Sequence, residues 1–113
     1  MVRIYHNPRC RKSRAGLDFL KTKNIDFEII EYMKKSLPAS EIRSILKKSG
    51  LKIEDLLRKQ EDDYKNLIKG KQLTEDELID MIVSFPNLLQ RPIVITDTQA
   101  VIADPPENLN IIL

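Results

Sequence analysis

The residues able to do chemistry gather near the start of the chain, around Cys10, the only cysteine. Before it, Val2-Arg3-Ile4-Tyr5 is β-branched or aromatic and reads as a strand, and His6-Asn7-Pro8-Arg9 is turn chemistry. After it, the pattern from about Arg11 to Lys23 is helical, with Leu17, Phe19 and Leu20 as apolar positions. Cys10 is therefore expected where a strand turns into a helix, the place where α/β sheets bind ligands. A helix N-terminus offers unpaired N–H groups and a partial positive charge, and both favour thiolate over thiol. The same groups bind an oxyanion. One loop is thus expected to hold a nucleophile and an anion cradle.

Charge supports this reading. Residues 1–23 carry seven Lys/Arg against the single acid Asp18, a local +6 in a chain whose net charge is only +2. Arg9, Arg11, Lys12 and Arg14 flank Cys10 and are expected to lower its pKa. Ser13 is spaced to hydrogen-bond the thiolate, and His6, the one histidine, to offer a hydrogen bond or positive charge to the loop. Plainer readings stand beside these: a solvated basic helix face, a small core cysteine, a helix-start serine and an idle turn histidine. One cysteine allows neither an intrachain disulfide nor a cysteine-based zinc site, and no metal is expected. The net charge is too small to point to nucleic acid. No run of 18 apolar residues suggests a membrane span, and the first residues do not read as a signal peptide, so a cytoplasmic protein is expected.

The elements that must position this loop follow from the hydrophobic period. Phe27-Glu28-Ile29-Ile30 reads as a second strand, parallel to the first because a helix joins them. The middle is helical. Pro38 suits a first helical turn, Ile42, Ile45 and Leu46 follow, and Gly50 stops the run. Ile53, Leu56 and Leu57 mark a short turn, and Tyr64, Leu67 and Ile68 another helical stretch. Thr74 and Glu77 form a capping box before Leu78, Met81, Ile82 and Phe85, which are expected on one apolar face closed by Pro86. Ile93-Val94-Ile95 and Ala100-Val101-Ile102 are strands joined by the turn Asp97-Thr98-Gln99, hence antiparallel. Pro105-Pro106 opens a last short helix with Leu109, Ile112 and Leu113. The expected fold is α/β: one domain over residues 1–113, a mixed four-stranded sheet with an all-helical insert at about 36–86 between strands two and three.

His6-Asn7-Pro8-Arg9-Cys10-Arg11-Lys12-Ser13-Arg14 closely resembles the H-N-P-x-C-x-x-S-R loop of the glutaredoxin-coupled arsenate reductases. Leu56-Leu57-Arg58 with Glu61 and Tyr64-Lys65, then Arg91-Pro92-Ile93-Val94, then Pro105-Pro106-Glu107 resemble further motifs of that family in order and spacing. The resemblance implies a thioredoxin-like fold. It implies that Cys10 is catalytic and attacks arsenate, that Arg58 and Arg91 bind the oxyanion, and that His6, Ser13, Arg14 and Pro92 support the site. The Arg91–Pro92 bond is expected to be cis. No cofactor is expected to be bound: glutathione enters as co-substrate, and glutaredoxin resolves a mixed disulfide. One position departs, because Asp104 stands where the resemblance implies a third arginine. Two other readings stay open: a glutathione-linked thiol reductase of another substrate, and a non-catalytic Spx-like binding or regulatory module. The second usually goes with Cys-x-x-Cys, where this chain has Cys10-Arg11-Lys12-Ser13.

Overall fold

A computed structural model describes residues 1–113, which divide into two compact units: residues 1–34 with 91–113, and residues 35–90. The first unit holds the sheet, with strands β1 (Val2–Tyr5), β2 (Phe27–Ile30), β3 (Ile93–Ile95) and β4 (Ala100–Ile102) in the order β2-β1-β3-β4. The crossover through helix α1 (Arg11–Lys21) makes β2 parallel to β1, while β3 and β4 are antiparallel to their neighbours. The register sets Ile4 beside Ile29 on one side and Val94 on the other. Ile4 and Val94 lie fully buried with Leu17 and Leu20 of α1, Ala103 and Leu109 in one apolar cluster. These are the apolar positions that the strand and helix periods put on facing surfaces.

Helix α1 ends at Lys21, where Thr22 turns its N–H back to the Phe19 carbonyl, earlier than the expected Lys23. The chain then leaves through Asn24 at φ 54, a left-handed conformation that asparagine tolerates. The β3–β4 turn is held by Thr96, whose Oγ1 accepts the Gln99 N–H at 3.0 Å. After β4, the expected last helix is a 3₁₀ turn over Pro106–Ile111 that packs on α1 and delivers Leu109 to the core. Leu113, expected among its apolar residues, is exposed. The Arg91–Pro92 bond is cis, as the resemblance implied, and so is Asp104–Pro105.

The second unit is helical. Helix α2 (Ala39–Ser49) begins after Pro38, which sits at the cap position instead of inside the first turn. Gly50 at φ 70 ends it with an N–H bond to the Leu46 carbonyl, a left-handed geometry that a side chain would strain. A 3₁₀ turn (Ile53–Leu56) and the short helix α3 (Asp62–Leu67) follow. Helix α4 (Glu75–Ser84) starts at the expected capping box: Thr74 Oγ1 accepts the Glu77 N–H, and Glu77 Oε1 accepts the Thr74 N–H. Its buried face is Leu78, Ile79 and Ile82, packed toward α2. Phe85, expected on that face, is exposed, because the chain leaves helical geometry there (φ −130, ψ 78) and turns the ring away. A further 3₁₀ turn, Pro86–Leu88, ends the unit's regular structure. No helix in either unit is long and apolar enough to cross a membrane.

Leu20 has no exposed surface and sits at the centre of the sheet-facing cluster. Leu20→Ala is expected to cost about 2–5 kcal/mol in urea unfolding, from lost transfer energy and the cavity left behind. A loss well under about 1 kcal/mol would show that this cluster is not what holds the sheet to α1.

Candidate active site

Cys10 is the residue before helix α1, with extended backbone (φ −97, ψ 125) and a half-buried side chain. The loop leading to it is tightly bonded. Asn7 accepts the Cys10 N–H on its carbonyl and the Arg9 N–H on its side-chain oxygen, each at 3.0 Å. Arg14 donates its backbone N–H to the Cys10 carbonyl (3.0 Å) and its guanidinium to the Pro8 carbonyl (2.9 Å). Beneath the loop, His6, Asn7 and Ser13 are all buried. The Ser13 hydroxyl accepts the Asn7 N–H at 2.9 Å and pairs with His6 Nδ1 at 2.7 Å. These bonds satisfy polar groups that would otherwise be costly to bury.

Two opposed effects set the protonation of Cys10. Burial pushes the thiol pKa up. Hydrogen bonding from the Ser13 backbone N–H, the Arg91 side chain and the Lys12 backbone N–H, with the Arg91 charge, pulls it down further, and the net value lies below that of an ordinary thiol. Ser13 and Lys12 are the third and second residues of α1, so these are the orphan donors of a helix start. No cap bond to the sulfur meets hydrogen-bond geometry, so these N–H groups favour the thiolate as nearby partial positive charges.

The structure changes several of the expected roles. The cations flanking Cys10 in sequence are not among the largest influences on its pKa. Arg9 and Arg11 are exposed, the Arg14 guanidinium is spent on the Pro8 carbonyl, and Lys12 Nζ lies 3.2 Å from the Asp104 carboxylate. The charge that reaches the sulfur is Arg91, only 8% exposed, from the segment entering β3. Ser13 acts on the thiol through its N–H, since its hydroxyl is engaged by His6 and Asn7. Burial lowers the His6 pKa. The Glu31 charge and the Ser13 hydrogen bond raise it, Lys21 and Arg14 lower it again, and the net is a shift down. At neutral pH His6 therefore brings a hydrogen bond and no charge to the loop. Pro105 holds the cap position of the last turn, one residue after Asp104.

Arg58 lies in the helical unit. It follows the 3₁₀ turn Ile53–Leu56 in an extended bridge, where Leu57 pairs with Leu89 and the Arg58 N–H bonds the Leu88 carbonyl at 2.7 Å. Its side chain is 12% exposed, with Glu61 at 4.0 Å, and its buried Nε has no hydrogen-bond partner. One positioning feature escaped the sequence reading. A Cβ on Gly16 would stand 2.4 Å from Pro92 Cγ and 3.3 Å from the Ala103 carbonyl oxygen. The available signal was a glycine inside a helical pattern, which costs about 1 kcal/mol against alanine and asks for a packing reason.

A four-stranded mixed sheet crossed by α1, with the one cysteine at the start of that helix, defines a protein of thioredoxin-like fold. The chain belongs to the ArsC family, whose model matches residues 5–112. It is 40% identical to the uncharacterized protein YfgD of Escherichia coli (strain K12), over 96% of this chain and 92% of that protein. It is 37% identical to an arsenate reductase of Neisseria meningitidis serogroup A, over 99% and 97%. The solved structure of an arsenate reductase from Vibrio cholerae matches with a TM-score of 0.94 at 37% identity, covering 99% of this chain and 97% of that one.

Two measurements check this geometry. The rate of Cys10 alkylation against pH should give a pKa below the usual thiol value of about 8.5, and Arg91→Ala should raise it. The exposed control Arg43→Ala, which removes a surface pair with Asp76, should leave it unchanged. Stability should follow the same titration. Because the folded thiol titrates below the unfolded one, its contribution is complete above the unfolded pKa and is lost as pH falls through the folded pKa. The stability difference between wild type and Cys10→Ser should grow with pH through that window and then level off. A difference flat across it would mean that the thiol is not acidified by folding.

Proposed function

We propose that this chain is an arsenate reductase in which Cys10 is the nucleophile. The observation that carries the reading is the acidified Cys10 sulfur, hydrogen-bonded by the α1 N–H groups and by Arg91. It gains support from relatives named arsenate reductase that match nearly the whole chain. In the reaction, the Cys10 thiolate attacks the arsenic of arsenate, an S–As bond forms and one oxygen leaves as water. A glutathione thiolate then attacks the Cys10 sulfur. The S–As bond breaks with its electron pair going to arsenic, which leaves as arsenite. The two electrons come from the two thiols, which end as a Cys10–glutathione mixed disulfide. Glutaredoxin takes up that glutathione and returns the Cys10 thiol. Glutathione and glutaredoxin are thus partners, no bound cofactor is required, and the cytoplasm, where glutathione keeps thiols reduced, is the natural setting.

Arg91 holds an oxyanion on a planar, permanently charged fork while it stabilises the thiolate. In this reading Arg58 serves as a second guanidinium, as the resemblance implies. Arsenate-dependent NADPH oxidation, with glutathione, glutaredoxin and glutathione reductase supplied, tests the proposal. Turnover should vanish in Cys10→Ser and fall about 10²–10³-fold in Arg91→Ala, the usual cost of a lost transition-state donor. No turnover from folded protein with a reactive thiol would shift the reading to another substrate of a glutathione-linked reductase, or to a binding module.

Asp104 bears on the substrate. Its carboxylate pairs with the Lys12 ammonium, two residues after Cys10, and so offsets a positive charge that this reading would use toward a dianion. Asp104→Arg should raise arsenate kcat/KM severalfold, and the gain should shrink with added salt because both groups are partly exposed. An unchanged kcat/KM would remove Asp104 from substrate selection.

A further inference from the structure

Helix α1 carries Cys10 at its start and Gly16 on its buried face. Gly16 is where the helix meets the segment that supplies Arg91. The Pro92 ring is pressed so close that a Cβ on Gly16 would stand 2.4 Å from Cγ, with Pro92 Cδ also within 3.4 Å. Separations of that kind leave no room for a methyl group. Pro92 is gripped from its other end as well: its carbonyl accepts the Ala103 N–H at 2.9 Å, and the Ala103 carbonyl oxygen closes the same contact on Gly16 at 3.3 Å. Pro92, Gly16 and Ala103 are all buried, so neither side has open space into which to move. Arg91 is the next residue back along the chain, and its side chain reaches the Cys10 sulfur.

We propose that Gly16 is a positioning residue for the thiol chemistry: its missing side chain seats the Pro92 ring on α1, and that seat holds Arg91 against Cys10. Gly16 is not needed for its backbone, because a helical conformation suits any residue; alanine there would even favour the helix by about 1 kcal/mol. The glycine is explained by the approach of Pro92, with the Ala103 carbonyl oxygen beside it. A methyl group at this position must displace either the ring or the helix. Both movements separate the guanidinium from the sulfur, because one element carries Arg91 and the other Cys10. Hydrogen bonding and charge interaction decline steeply over such distances, so a shift of under 1 Å matters.

The inference rests on Cys10 being the reacting thiol but not on arsenate being the substrate. Its test therefore uses alkylation of Cys10 by iodoacetamide across pH, together with thermal melts, in wild type, Gly16→Ala, Arg91→Ala and the double variant. Gly16→Ala should raise the Cys10 pKa and slow alkylation at acidic pH by about tenfold, as the thiolate fraction falls. In the Arg91→Ala background the same substitution should change the rate by less than about twofold, because the contact it disturbs is already gone. A purely structural glycine would lower the melting temperature and leave the pKa of the folded protein alone, which would overturn the proposal. An equal slowing in both backgrounds would overturn it too. Should Gly16→Ala fail to fold, Pro92→Ala decides: it withdraws the ring from the seat while leaving α1 intact. Slowed alkylation supports the proposal, and an unchanged rate refutes it. Loss of arsenate turnover with normal alkylation in every variant would count against the seat, whereas absent turnover in wild type with the expected alkylation pattern would count only against arsenate.

Discussion

A thiolate drawn partly out of water needs compensation, and at Cys10 that compensation comes from two places in the chain. The Lys12 and Ser13 N–H groups are local, fixed by α1 beginning where it does. Arg91 is remote, and only the sheet can deliver it. Because β3 runs antiparallel beside β1, with Tyr5 opposite Ile93, the residues just after β1 and just before β3 fall at the same edge. Cys10 follows the first and Arg91 precedes the second. The strand order therefore decides whether the Arg91 contribution reaches Cys10: had β3 paired at another position or register, that share of the downward shift would be lost.

The polar layer under the loop serves the same end by removing freedom. Asn7 fixes two backbone N–H groups of the turn, and the Ser13 hydroxyl ties helix and turn together through Asn7 and His6. Each bond contributes modestly to stability, roughly 1 kcal/mol, but together they hold the loop that carries the sulfur in place. A neutral His6 suits this role. A buried imidazolium would pay for desolvation and add repulsion from Arg14 and Lys21, which is the direction in which those groups shift it.

Much of this was legible from residue type and spacing. The strands, the crossover helix, the capping box at Thr74 and Glu77, and a helix start at Cys10 all rest on local chemistry, and local chemistry is what a sequence displays. Phe85 was misplaced because helical spacing was extended one residue past the point where the helix ends. The flanking cations were overvalued for a different reason. Sequence proximity says nothing of where a long side chain ends, and Arg14 and Lys12 found partners at Pro8 and Asp104. Gly16 was passed over because its meaning is a contact with Pro92, and nothing local to either residue announces the other.

The two kinds of positive charge then have different work to do. Arg91 is buried, so its interaction with the sulfur is weakly screened and strongly directional. Arg9 and Arg11 are exposed, and their charges act through solvent over about a Debye length, roughly 8–10 Å at physiological salt. Such charges raise the encounter rate with an anion more than they tighten its grip once bound. Basic residues around Cys10 and a carboxylate at Asp104 are then not contradictory. The first act through solvent around the loop, while Arg91 and the α1 N–H groups lower the pKa at the sulfur itself. Asp104, pairing with Lys12 at 3.2 Å, offsets one of these flanking cations.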